Sequence, residues 1–159
     1  MTKERFIQEV RESEATLYRE SKSILHNEQY CLDAVQEAIC KAFANLTSLK
    51  NEALFKTWLV RILINECYKI QKYHKKIIYF DTYMCSREDE SREEYTDLYY
   101  SIEVLKPKMK VVIVLHYIEG FSITEIGGIL KIPEGTVKSR LAKGRQQPRL
   151  NLSEEGMYL

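Results

Sequence analysis

Two sets of polar side chains recur at helical spacing in this chain of 159 residues, and their types suit one chemistry. Arg61, Asn65, Lys69, Lys72 and Lys76 follow one another in steps of four, four, three and four, which makes one stripe on a helix. A row of long cations tracks phosphates, and Asn65 can both donate to and accept from a base edge. Phe55 and Trp58 precede the stripe. They either stack on an unpaired base, a contact worth about 1–3 kcal/mol, or pack between helices as large aromatics commonly do. The second set is Thr136, Ser139, Arg140 and Lys143, spaced i, i+3, i+4, i+7 and lying opposite Val137 and Leu141. Short hydroxyls beside long cations suit phosphate contacts and base-edge hydrogen bonds in a major groove. The same spacing also describes an ordinary helical hairpin with a solvated basic face.

A third set is polar without being basic. Asp33, Gln36 and Glu37 share one face of a helix beside an apolar stripe. By itself this pattern reads as a solvated surface.

Helices must position all three sets. Residues 3–25 carry a loose apolar stripe of Phe6, Val10, Leu17 and Leu25. From about 28 to 46, Leu32, Val35, Ile39, Ala42, Phe43 and Leu46 predict the inward face of a second helix. From about 53 to 76, Leu59, Ile62, Leu63 and Ile70 predict the inward face of a third. The period then breaks, and residues 77–90 read as an acidic linker. Ser91 and Glu94 match a capping box that opens a second module, followed by Tyr95, Leu98, Tyr99 and Ile102. Pro107 fits the first turn of the next helix, and Gly120 its C-terminal cap. Ser122 and Glu125 form another capping-box pair, and Ile126, Ile129 and Leu130 face inward after it. Pro133 forces a break and opens a last helix, which Pro148 should stop near Gln147.

Charge follows the same division. Residues 41–80 hold eight basic and two acidic groups, residues 81–104 two and eight, and residues 105–150 nine and three, although the whole chain is only +1. Two basic blocks around an acidic one predict two polyanion-facing modules and a solvated connector. Cys31, Cys40, Cys67 and Cys85 form no CxxC pair, and His26, His74 and His116 are isolated. Reduced thiols, no metal and no cofactor are therefore expected. No phosphate-cradling glycine loop, HExxH or GxSxG is present, so no catalytic residues are assigned and an enzyme is not expected. The longest apolar runs, such as VVIVL, are too short to span a bilayer, and the charged start MTKERFIQEV does not read as a signal peptide. A cytoplasmic location without membrane insertion follows as the expectation.

Residues 115–145, LHYIEGFSITEIGGILKIPEGTVKSRLAKGR, resemble region 4 of bacterial sigma factors of the extracytoplasmic-function (ECF) group, with IPEGTVKSRL the most specific stretch. LDAVQEAICKAF, residues 32–43, is similar to region 2.2 of that family, and FKTWLVRILINECYKIQK, residues 55–72, to regions 2.3 and 2.4. The resemblance implies an all-α chain with a region 2 bundle of three or four helices at 1–76, an acidic linker at 77–90, a region 4 helix-turn-helix at 91–150 and a tail at 151–159. It implies that core RNA polymerase docks on Asp33, Gln36 and Glu37. It implies minus-ten promoter contacts at Phe55, Lys56, Trp58, Arg61, Asn65, Lys69, Lys72 and Lys76. It implies minus-thirty-five contacts at Glu134, Thr136, Lys138, Ser139, Arg140, Lys143 and Arg145. The implied partners are core polymerase, promoter DNA and an anti-sigma factor, often membrane-bound, with no small-molecule substrate. A dimeric transcriptional regulator and a partner-binding protein with vestigial DNA modules are the competing readings, and the region 2 resemblance weighs against the first. The chain departs from the family pattern in four places: Gly127 and Gly128 stand where Ala and a polar residue are usual, Lys131 where the turn often has Gly, and QQPRLNL follows Arg145 where a basic helix usually continues. Gly127 fits a close helix crossing, whereas Gly128 is expected to cost about 1 kcal/mol relative to Ala.

Overall fold

The computed structural model describes residues 1–85 and 102–146, and the side chains of 1–74 and 102–146. Every regular element among the described residues is helical. The chain divides into two compact units, Met1–Asp81 and Thr82–Leu159.

In the first unit, α1 spans Lys3–Leu25, with the Thr2 hydroxyl accepting from the Arg5 N–H at 3.2 Å. It ends where His26 turns left-handed at φ 60°. Asn27 opens α2, Glu28–Ala44, by accepting from the Tyr30 N–H at 3.0 Å. Two short 3-10 turns, Leu46–Ser48 and Glu52–Leu54, lead into α3, Phe55–Cys85. No Gly or Pro interrupts α3, so it runs past the end expected at residue 76 and takes in residues 77–85 of the expected linker. One residue inside it, His74, leaves helical geometry (φ −109°, ψ 22°).

The core of this unit joins Leu17, Ile24 and Leu25 to Phe55, Leu59, Val60, Leu63 and Ile64 across a seam of small residues on α2. That seam is Cys31, Ala34, Ala38 and Ala42, spaced three, four and four. It corrects the expected inward face of α2. Ala42 is buried, but Leu32 is 49% and Phe43 51% exposed, and Val35, Ile39 and Leu46 lie between. The helix is turned so that its small residues face inward, where backbones can approach closely. The larger apolar side chains form a flank. Phe43 still rests edge-on against Phe6, with ring centroids 5.3 Å apart. Burial raises the thiol pKa values of Cys31 and Cys67, which marks both as unreactive.

In the second unit, Ile102 and Leu105 are buried ahead of α4, Pro107–Ile113. Its continuation, Val114–Ile118, widens into a π turn, with the Glu119 N–H reaching the Val114 carbonyl at 3.0 Å. Gly120 follows at φ 77°. Helix α5, Ile123–Leu130, opens with the expected capping box: Glu125 N–H to Ser122 Oγ at 3.1 Å, and Ser122 N–H to Glu125 Oε2 at 2.8 Å. Lys131 closes it in the left-handed region, at φ 55° and ψ 47°. Pro133 then opens α6, Glu134–Arg145. Val111 to Leu115, Phe121, Ile126, Ile129, Val137 and Leu141 fill the core. Gly144 lies so close to α4 that a Cβ there would stand 2.9 Å from both Cδ1 and Cγ1 of Ile113. The Ser91–Glu94 pair, Tyr95, Leu98, Tyr99 and Pro148 lie outside the described residues.

Candidate nucleic-acid interface

The stripe on α3 is a surface of the first unit. Arg61, Asn65, Lys69 and Lys72 are all exposed, while Leu59, Leu63 and Cys67 on the other side of the helix are buried. Lys76 belongs to the same helix, but its side chain lies outside the described residues. Lys56 is exposed near the start of α3.

The two aromatics part company. Phe55 is 1% exposed and packs edge-on against Phe6 at 5.6 Å, so the structure assigns it to the core and corrects its expected place among the DNA contacts. A ring already enclosed on both faces has none left for a base. Trp58 is partly exposed and tilted against Phe55, with ring centroids 5.9 Å apart.

Lys69 has a neighbour that the spacing did not reveal. Glu66, one turn earlier, is nearly buried, and its Oε1 accepts from Lys69 Nζ at 3.2 Å and from Lys41 Nζ of α2 at 2.7 Å. Burial works against the Glu66 charge, but the hydrogen bonds from Lys41 and Lys69 outweigh it and hold the carboxyl below its ordinary pKa. The bond to Glu66 in turn holds Lys41 above its own. The signal was present in the sequence: Glu52 and Glu66 are the only acids among residues 41–80. An acid set among cations in the middle of a helix calls for a partner.

Asp33, Gln36 and Glu37 are exposed on α2 beside the apolar flank. Asp33 accepts from Gln29 at 3.0 Å, and Glu37 lies 3.5 Å from Lys41.

In the second unit, the outer face of α6 carries Lys138, Ser139 and Lys143 exposed, with Thr136 and Arg140 half-exposed. Val137, Leu141 and Gly144 occupy its buried face. Glu134 accepts from the Thr124 hydroxyl at 2.9 Å, tying the start of α6 to α5. Arg145 donates to the Tyr117 hydroxyl at 2.7 Å, so part of its guanidinium is held against the π turn. His116 donates from Nδ1 to the Phe121 carbonyl at 2.8 Å, which fixes the turn around Gly120. Gly127 lies at a close approach to the turn and to the facing helix: a Cβ would stand 3.1 Å from the Ile132 carbonyl oxygen and 3.7 Å from Cγ of Glu134 on α6. At Gly128 a Cβ would meet nothing within 4 Å.

These two faces, each outside its own core, fall in segments that match known protein families. The sigma-70 region 2 family matches residues 10–77, and the sigma-70 region 4 family matches residues 95–147. One match per unit defines the class, a transcription-initiation factor of the sigma-70 type. The ECF RNA polymerase sigma factor SigW of Bacillus subtilis is 31% identical over 156 residues, spanning 87% of this chain and 83% of that protein. RNA polymerase sigma factor SigV of the same organism is 29% identical over 143 residues, spanning 88% and 86%. The chain belongs to the ECF group of RNA polymerase sigma factors. Its fold is also that of the sigma factor RpoE of Bartonella quintana, solved with the anti-sigma factor NepR: TM-score 0.71 and 24% identity, covering 89% of this chain and 92% of that one. CnrH, solved with the cytosolic domain of CnrY, gives a TM-score of 0.66 at 21% identity, covering 92% and 86%. A factor of this family directs promoter-specific initiation and is not itself an enzyme. No described helix is long and apolar enough to cross a membrane.

Proposed function

We propose that α2 docks this sigma factor on core RNA polymerase, that α3 reads and helps open the minus-ten element, and that α6 reads the minus-thirty-five element. The observation that carries the reading is that each family-matched unit keeps one cationic face out of its core. Residues 1–76 supply the polymerase and minus-ten surfaces, and residues 91–150 the minus-thirty-five surface. On α2 the contacts are Asp33, Gln36 and Glu37, and the exposed Leu32 and Phe43 add an apolar flank that a partner protein would cover. On α3 they are Lys56, Trp58, Arg61, Asn65, Lys69, Lys72 and Lys76, with Asn65 reading a base edge and Trp58 stacking. On α6 they are Thr136, Lys138, Ser139, Arg140 and Lys143. Glu134 and Arg145 belong to the same contact set, and their bonds to Thr124 and Tyr117 hold them at its two ends. Neither unit needs to bind tightly alone, because two tethered weak sites gain effective concentration once polymerase engages both.

The factor works in the cytoplasm, and an anti-sigma factor restrains it. The similar structure of RpoE, solved with the anti-sigma factor NepR, supports that partner. Run-off transcription with core polymerase over a genomic promoter library tests the reading. Promoter-specific transcripts should appear only with this protein present, and their absence would remove it. Arg140→Ala should weaken recognition of the minus-thirty-five element by about 1–3 kcal/mol if it touches a base.

A further inference from the structure

We propose that Glu66 is a positioning residue that tempers the grip of the first unit on DNA, by holding Lys69 until a phosphate takes it over. The inference rests on the reading of the α3 stripe as a DNA surface.

Glu66 sits in the most basic block of the chain, yet its side chain is only 9% exposed. A carboxylate so placed must be paired to remain charged. Both of its partners approach the same oxygen, Oε1. Lys41 also lies 3.5 Å from Glu37. Charges therefore alternate in a continuous line, Glu37, Lys41, Glu66, Lys69, from the outer face of α2 to the cationic stripe of α3.

The two lysines are not equivalent. Lys41 is the closer, at 2.7 Å, and spans from α2 to α3. Lys69 is longer, at 3.2 Å, 66% exposed, and among the described residues its bond stays within its own helix. Lys69 can swing to a phosphate by rotating its side chain while Lys41 stays in place. The buried carboxylate then remains compensated, and the pairing of α2 with α3 survives the exchange. Lys41 is thus the latch and Lys69 the exchangeable member.

The consequence is a lowered affinity for any DNA. A phosphate that recruits Lys69 must outcompete Glu66, so this position contributes less than a free lysine would. Phosphate contacts do not depend on sequence, whereas base-edge contacts do. Weakening the former leaves relatively more of the binding to Asn65. Glu66 therefore lowers the hold of the factor on bulk DNA, and on promoter DNA by the same factor, without touching either.

The test uses the full chain and labelled non-promoter DNA, duplex and single-stranded, with affinity read by fluorescence anisotropy between 0.05 and 0.3 M salt, a range over which the Debye length shortens by roughly 2.5-fold. One fully released phosphate contact adds about 0.9 to the salt slope for duplex and about 0.7 for single strands. Glu66→Gln should therefore raise affinity by about three- to tenfold near 0.1 M salt and steepen the slope by up to about one. Most of that gain should vanish in a Lys69→Ala background. The double variant Glu66→Gln/Lys41→Gln leaves net charge unchanged and the seam free of an unpaired lysine, so it controls for folding and for bulk electrostatics. It should keep the gain that depends on Lys69.

An equal gain with and without Lys69, or no gain in either glutamine variant, would overturn the proposal. Arg61→Ala and Lys72→Ala identify which reading has failed. If they weaken DNA binding while Glu66→Gln changes nothing, the role of Glu66 alone falls. If they too change nothing, the α3 stripe is not the DNA surface, and both readings fall.

Discussion

The two units solve the same problem, a cationic face held rigidly outside a core, in different ways. In the first, the face lies on the long helix α3 and is stiffened from beneath by a charge line through the buried Glu66 and by the alanine seam of α2. In the second, it lies on the 12-residue helix α6, and what stiffens it is close backbone packing at Gly144 and Gly127 together with a left-handed turn at Lys131. The first unit spends side-chain chemistry where the second spends backbone conformation. Variants should therefore break the two units by different mechanisms.

The largest effect belongs to the core of the first unit. Phe55→Ala removes a ring that is 1% exposed and packed on Phe6, and should cost about 3–5 kcal/mol. Denaturant unfolding followed by the fluorescence of Trp58, the only tryptophan, reads this unit alone. Phe55→Leu should recover most of the stability and retain DNA binding. Loss of DNA binding in a stable Phe55→Leu protein would return Phe55 to the promoter contacts.

What the sequence reveals differs between the units for the same reason. In the first, the outer stripe is legible from residue types, since long cations at steps of three and four leave little choice of face. The inner face of α2 is not. Leu32, Val35, Ile39 and Phe43 keep a helical period as good as that of Cys31, Ala34, Ala38 and Ala42, and hydrophobicity alone favours the larger set. Only the closeness of the neighbouring helices decides for the small one. In the second unit the inward positions Ile126, Ile129, Val137 and Leu141 are read correctly, with Leu130 only half-buried, because Ser122 and Pro133 fix where the helices begin. The π turn at Val114–Ile118 leaves no such trace, since its residues are ordinary helix formers. Partnerships across a helix contact, such as Lys41 with Glu66 or Arg145 with Tyr117, join residues 25 and 28 positions apart, beyond the reach of any local pattern.

The next largest effect sharpens the contrast from the other side. Gly144→Val would place its Cβ 2.9 Å from Ile113 and add two further methyls against α4. It should destabilise the second unit by about 1–3 kcal/mol through overpacking. Hydrogen exchange across residues 107–113 would report the loss, and Ile113→Ala should restore much of it by making room. The fluorescence of Trp58 should stay at its native value throughout.

The units should also gain stability with rising pH in different windows, the first in acid and the second in alkali. The pKa of Glu66 is depressed in the folded chain, so its contribution is complete above the ordinary carboxylate value near 4.3 and is lost as pH falls through the depressed one. Unfolding followed at Trp58 should weaken in acid below about pH 4, and Glu66→Gln should flatten that dependence. In the second unit burial lowers the pKa of Lys110, against the pull of Glu103 at 3.1 Å. A cation disfavoured by folding makes the folded state bind fewer protons than the unfolded one. Stability should therefore rise as pH climbs through that lowered value toward the ordinary lysine value near 10.4. Exchange protection in α4 that falls over that range would contradict the assignment.

The smallest effects concern the backbone of the helix-turn-helix itself, where two residues look alike in cost and differ in cause. Gly128 lies inside α5 with open space around its missing Cβ, so Gly128→Ala should stabilise the unit by about 1 kcal/mol through helix propensity alone. Lys131 carries a side chain at φ 55°, where glycine is at ease, so Lys131→Gly should relieve strain of about 1 kcal/mol, less the entropy that glycine adds to the unfolded chain. The two sites are three residues apart and share the end of α5, yet one gains from adding a Cβ and the other from removing it. Thermal unfolding of both single variants and the double variant separates the causes. If the gains add, propensity and turn strain are independent, and the reading helix keeps its place. If Gly128→Ala stabilises but shifts minus-thirty-five preference, then the softness of α5 is part of how α6 fits its groove.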